Sequence, residues 1–513
     1  MTHLRMKSNS RSVQIKIFHR RYLSWWRQVV CFVVFFGVAL SAPTLIAQNS
    51  NLIVYPALPN QQFSSDLYEV TITQAGQTLP SYVYKSVREG GNTNNFATDA
   101  NHWTAFSFSG AVTVQVKWRD GTPVHAAVVR PLFKNLHAEV GDRRVSFTLT
   151  APANVYLELD GKPRDPLFIF ANPLETDIPT KATPNVIYFG PGVTDLGQEP
   201  LNLSDGQTVY LAGGAYVKGR LQTVGPTGSQ AVAIRGRGIL SGISVTGERG
   251  RFSRFMIGAT HNAPELQVEG IVITDLPGVG LLAAKRLVAE NVKLLAWLPQ
   301  TDGISGGQNS LVQNCFLKVN DDVLHFHKSG LKLINNTVWR QNFGSVLQMG
   351  WNETQNVTGE LCDGLDIIGD DAGRSNRKRE YGNANIVALI DIHHHAAYKN
   401  VVVANVRHEK RSAQLFGVLT MLPLQDRFHD KYRDGRGSVE EMVLRNITAA
   451  EQPVNPSVFD GNGREPGTIS NVTFENLRVA GNLVTEANAA GYVELRGKTS
   501  GFHYLATTSQ PKK

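Results

Sequence analysis

Three aspartates carry the chemistry this chain offers: Asp302 stands 19 residues before Asp321 and 20 before Asp322. Paired carboxyl groups suit hydrolysis of a glycosidic bond, where one protonates the leaving oxygen and the other activates water or attacks carbon. Two close carboxylates repel when both are ionised, so one holds its proton to higher pH and suits the acid role. Taken singly, Asp302-Gly303 reads as a turn and Asn320-Asp321-Asp322 as a solvated corner. Their joint spacing gains meaning from the period around them.

Short strand-like phrases recur at LQVEGIVIT from 266, LVAENVKLL from 287, LVQNCFLKV from 311 and LKLINNTVW from 331. Aligning Gly270, Asn291, Asn314 and Asn336 gives intervals of 21, 23 and 22, and looser repeats follow from 398, 439 and 469. Self-similarity at such a period marks a solenoid, each repeat being one coil stacked on the last. Equivalent positions then lie about 4.8 Å apart, which crowds the three carboxylates into one patch. The recurrent Asn has a mechanism: its amide bonds to the backbone and to the Asn above, and it tolerates the left-handed conformation of a sharp bend. Asp321 and Asp322 would face opposite ways in a regular strand. Asn320 before them is compatible with a bend that turns both outward.

No helix-period segment separates these phrases, so residues 201–513 are expected to form a right-handed parallel β-helix. Residues 48–200 instead alternate apolar and polar side chains in short runs, such as Val112 to Trp118, between Gly and Pro turns. That pattern predicts an N-terminal β-sandwich, and the fold class is all-β. Residues 1–47 read as a signal peptide: seven Lys and Arg without an acid, the apolar run Val29 to Leu40, then small residues up to Ala47. An uncleaved membrane anchor is the competing reading, but Ser41, Pro43 and Thr44 interrupt the run short of a spanning length, so no stable membrane insertion is expected after the signal is removed. The protein is then secreted or periplasmic. Losing the seven charges takes the net charge from +8 to +1, which removes the main support for a nucleic-acid partner. Cys31 leaves with the signal, and Cys315 and Cys362 are expected to be buried free thiols.

The phrases Gln300-Thr301-Asp302-Gly303, Asn320-Asp321-Asp322 and Val346-Leu347-Gln348-Met349-Gly350-Trp351 resemble the core of glycoside hydrolase family 49, the dextranase and isopullulanase family. The specific match spans Trp297 to Trp351, and the order of domains extends it more weakly over about residues 50 to 505. The resemblance implies a β-sandwich joined to a pectate-lyase-like β-helix, cleavage of α-glucans with inversion, and catalytic aspartates at Asp302, Asp321 and Asp322. Family 28 polygalacturonases share a similar Asp, then Asp-Asp, arrangement, with Gly-His-Gly and Arg-Ile-Lys motifs. This chain has His325, His327 and Lys328 after the pair but neither motif. The departure favours a neutral substrate, although Lys328 and Arg340 are cations that would suit a uronic acid.

Within that frame Asp322 is expected to be the general acid, with Asp302 and Asp321 holding the attacking water. Trp297 and Trp351 are candidate platforms for a sugar ring, and Gln300, His325, His327, Lys328, Gln348 and Asn352 complete the substrate-binding set. Trp339 lies in an apolar phrase and is expected to point inward. Asp370-Asp371 sits in a polar loop and reads as solvated, with local ion pairs. His393-His394-His395 resembles a metal tract, with zinc as the lesser reading, but adjacent histidines alternate faces on a strand and cannot all ligate one ion; Asp391 and His393 share a face that would line the groove. The hydrolytic reading needs no cofactor and no metal, and its partner is a polysaccharide, an α-glucan, met by a monomer. The alternatives are a polygalacturonase-like hydrolase of a pectic polymer, a calcium-dependent lyase, and a noncatalytic glycan-binding β-helix protein.

Overall fold

A computed structural model of the chain describes residues 51–86, 100–225, 230–245, 254–259, 263–350, 355–374, 390–393, 396–420, 437–461 and 467–506. The expected signal peptide, Trp351, Asn352 and the side chains of Asp391 and His393–His395 lie outside the described residues.

Two sheets form the N-terminal part. A five-stranded antiparallel sheet contains Tyr68–Gln74, Gln77–Ser81, Val112–Trp118, Glu139–Gly141 and Arg144–Leu149. A six-stranded sheet includes His102–Phe108, Ala153–Leu159 and Lys162–Asn172, the first and last of these being parallel to each other. Strict alternation of burial along Val112–Trp118 explains their relation: every second side chain faces inward. Ile72, Val114, Val116 and Phe147 from one sheet meet Phe106, Val155, Leu157 and Ile169 from the other in a single core.

The remainder is a stack of parallel strands from Val186–Phe189 to Thr499–Leu505, arranged as a 21-stranded and an 11-stranded sheet. It begins upstream of the boundary expected at residue 200, because Ile187 and Phe189 already pack on the stack's core. Columns of aliphatic residues run through it, for example Leu294, Leu317, Val338 and Ile367 in successive register, each fully buried. Burial of one such side chain is worth about 1.5–3 kcal/mol, so the stack is held by many repeated small terms. Among the described residues no helix is long and apolar enough to cross a membrane.

The corners follow the expected chemistry with one correction. Gly270, Asn291 and Asn314 have positive φ, but the fourth corner is Asn335, not Asn336. Asn336 is instead buried and ties down the previous coil, accepting from the Cys315 N–H and donating to the Val312 carbonyl at 3.0 Å each. Further on, Asn476 donates to Asn446 and Asn446 to Asn405, both at 3.0 Å, which is the ladder the repeat implied. Cys315 and Cys362 are buried and unpaired with each other; burial pushes the Cys315 thiol up to about 12.

The six-stranded sheet turns its second face, with Tyr84, Trp103, Tyr156, Phe168 and Phe170, onto outward residues of the stack, among them Tyr216, Leu295, Phe316, Trp339 and Ile368. The two parts belong to one compact unit, Asn49–Lys513. Trp339, expected to point inward, instead faces outward from the stack and is buried against the N-terminal sheet, edge-on to Tyr156 at 5.0 Å; it is structural all the same.

Candidate active site

The aspartates lie where each coil passes from one sheet to the other. In one coil the connector runs from Lys293–Leu295 to Ile304–Ser305, and in the next from Phe316–Val319 to Leu324–His325. Parallel pairing continues through them: Gly303 donates to the Asp322 carbonyl at 2.9 Å, and Val323 to that of Ser345 at 2.9 Å. Asn320 fixes the turn. Its backbone N–H donates to Thr301 Oγ1 (3.2 Å), its amide to the Trp297 carbonyl (2.8 Å), and its Oδ1 accepts from the Asn342 N–H (3.1 Å). One buried side chain therefore clamps three coils. Gly344, at φ +70°, lies directly against the Asp321–Asp322 peptide, where an added Cβ would sit 2.1 Å from the Asp321 carbonyl carbon.

All three carboxylates are partly exposed. Asp302 Oδ2 is 3.0 Å from Nε2 of His325, which is buried. Asp322 Oδ1 accepts the Ser345 N–H at 2.9 Å, and Asp321 Oδ1 accepts the Asp322 N–H at 3.0 Å. Asp302, Asp322 and His325 each offer an atom within 4.8 Å of the others, a group that does not include Asp321. Among the described residues this is the one such convergence of acidic or imidazole groups, the geometry a cation or an ordered water requires. The Asp302–His325 hydrogen bond fixes one oxygen of that carboxylate, and the two carboxylates together suit the holding of a water.

The other candidates divide. Gln300 is exposed at positive φ, two residues before Asp302. His327 and Lys328 are partly exposed, and the His325 and His327 rings meet edge-on at 5.2 Å. Burial, then the nearby His325 and Lys328, hold the His327 imidazole down at about 3. Two expectations are corrected. Trp297 is only 9% exposed, and the Lys318 ammonium covers its ring at 3.2 Å from the centroid, so it is no open stacking platform. Gln348 is fully buried and reaches His327 Nδ1 through Oε1 at 3.4 Å, so it stands behind the groove.

Asp370 and Asp371 are also buried rather than solvated. Asp370 pairs with Arg340 and with His408 (3.1 Å), and Asp371 accepts the Trp339 indole N–H at 3.1 Å. Arg340, fully buried in that pair, is unavailable to a substrate carboxylate. Sequence reading missed Gly344 and Ser345; the signal was a Gly-Ser pair one coil beyond Asp322.

No protein-family model matches the chain. The sequence is 25% identical to isopullulanase of Aspergillus niger, over 92% of this chain and 98% of that protein. It is 25% identical to dextranase of Arthrobacter globiformis, over 60% of this chain and 65% of that one. The fold matches that of Dex49A from Penicillium minioluteum with a TM-score of 0.64 at 18% identity, covering 90% of this chain and 99% of that structure.

Proposed function

We propose that this chain, a homologue of the dextranase and isopullulanase glycoside hydrolases of family 49, cleaves α-glucosidic bonds of a neutral, dextran- or pullulan-like polysaccharide with inversion. The observation that carries this reading is the approach of Asp302 and Asp322 within 4.8 Å, with His325 hydrogen-bonded to Asp302. A water donating two hydrogen bonds of about 2.7–2.8 Å each spans acceptors about 4.5 Å apart. The pair therefore fits joint possession of one water. It is too close to be the acid and base of an inverting enzyme, which stand about 6.5–9.5 Å apart.

This reverses the division of roles expected from sequence. Asp302 and Asp322 hold and activate the water, and Asp321, outside that group, is the general acid. His325 orients the Asp302 carboxylate, and the Ser345 N–H orients that of Asp322. A neutral substrate is supported by the burial of Arg340 against Asp370, which leaves Lys328 as the remaining cation of the two considered for a uronic acid. We read the N-terminal sheets as a β-sandwich bracing the β-helix, and residues 1–47 as a signal for export. A second reading rests on the same closeness: as acid and nucleophile, Asp302 and Asp322 approach the retaining spacing of about 5–5.5 Å.

Kinetics of the three Asp→Asn variants test the roles. With dextran all three lose activity. With an aryl α-gluco-oligosaccharide, whose leaving group needs no proton, Asp321→Asn recovers turnover and the other two do not. Recovery by Asp322→Asn instead would restore the original assignment.

A further inference from the structure

We infer that Gln348, hidden beneath the groove, is a positioning residue that fixes the tautomer of His327, so that this histidine presents a hydrogen-bond acceptor to a sugar hydroxyl. The inference rests on the reading above, in that the substrate is a neutral glycan, and it assigns the recognition of one hydroxyl group.

The geometry decides the proton's place. Gln348 Oε1 lies 3.4 Å from His327 Nδ1. With the amide oxygen turned to the ring, as here, it only accepts, so Nδ1 carries the hydrogen in this arrangement. A neutral imidazole has one donor and one acceptor, so Nε2 is left with its lone pair. Burial beside His325 and Lys328 favours the neutral ring. Nε2 has no hydrogen-bond partner among the described residues, yet it is absent from the buried unsatisfied atoms, so solvent reaches it. Gln348 is the reverse: fully buried, with Nε2 among those unsatisfied atoms. A buried amide with an unused donor is costly, and its retained interaction is the one to His327.

Register places the pair beside the reacting groups. His325 and Gln348 are direct partners on adjacent parallel strands, and His325 holds Asp302 at 3.0 Å. The His327 ring stands edge-on to that of His325 at 5.2 Å between centroids, next to the residue that holds Asp302. A lone pair there attracts a hydroxyl and repels a carboxylate, which makes the His327–Gln348 pair a determinant of neutral over acidic sugars.

The test labels histidine with ¹³C and ¹⁵N in the full chain and assigns His327 by the signal lost in His327→Phe. The expected ring ¹⁵N shifts at neutral pH are those of the Nδ1–H tautomer. Gln348→Met, similar in size but lacking the acceptor, shifts them toward the Nε2–H form. It also raises KM for the neutral glucan about tenfold, the worth of one hydrogen bond, with kcat little changed. Gln348→Glu keeps an acceptor at the same place and retains the Nδ1–H. An Nε2–H tautomer in the wild type, or a Gln348→Met variant with unaltered tautomer and KM, overturns the inference. Should the wild type cleave no neutral glucan, the functional reading fails and so does the substrate claim, while the tautomer spectra still decide whether Gln348 positions His327.

Discussion

Replacement of Gly344 by Ala tests whether the bend at Asp321–Asp322 is held to catalytic tolerance. The glycine has φ +70°, and an added Cβ would fall 2.1 Å from the Asp321 carbonyl carbon and 2.2 Å from the Asp322 nitrogen. Ordinary contact begins at 3.4 Å, and these are backbone atoms that cannot rotate aside. The Asp321–Asp322 peptide must therefore move by about 1 Å or more, and a displacement of that size can cost about 10²-fold in rate. The left-handed conformation adds about 1–2 kcal/mol of strain for a residue with a Cβ. Gly359→Ala separates the two effects, since Gly359 has φ +74° with nothing within 4 Å of its would-be Cβ. Both variants should lose similar stability from the backbone term in thermal melts, with Gly344→Ala losing more. Only Gly344→Ala should lose kcat/KM on dextran, by about two orders of magnitude. Activity within threefold of wild type in that variant would refute the claim that this peptide's placement matters.

Other outcomes follow from single contacts. His325→Asn removes the 3.0 Å hydrogen bond to Asp302 and should lower kcat about ten- to a hundredfold with little change in KM, the range for a bond to a charged group; an unchanged kcat counts against the orienting role. Asp370→Asn leaves Arg340 buried beside a neutral amide and should cost about 3–5 kcal/mol in urea unfolding, a loss under 1 kcal/mol being contrary. Cys315 and Cys362 should resist iodoacetamide at pH 8 in the native chain and label after denaturation, because burial raises both thiols. Native labelling of either, read by peptide mass, would contradict their burial.

Much of the architecture was legible because its causes are local and repeated. Asn291 and Asn314 mark corners by a conformation few residues tolerate, and their interval carries Asp302 onto the rung next to that of Asp321 and Asp322. The slip from Asn335 to Asn336 shows the limit of that signal: either of two adjacent asparagines satisfies the spacing, and the choice is made by which amide reaches Cys315 and Val312. Contacts between distant coils were not legible. Asp370 and Asp371 look like a solvated loop until Arg340, Trp339 and His408 converge on them. Trp297 looks like an open ring until Lys318 lies over it. Gly344 needs its cross-coil neighbour before the absence of a side chain means anything. The roles of the aspartates likewise depend on a distance, the 4.8 Å limit between Asp302 and Asp322, that spacing along the chain does not fix.

The most direct test of the account is the anomeric form of the first product, followed by proton NMR while the purified chain acts on dextran, pullulan and polygalacturonate. Release of β-configured, saturated reducing ends from a neutral α-glucan, abolished by Asp302→Asn, is the predicted result. An α-configured product, an unsaturated one, or release from polygalacturonate alone would contradict it.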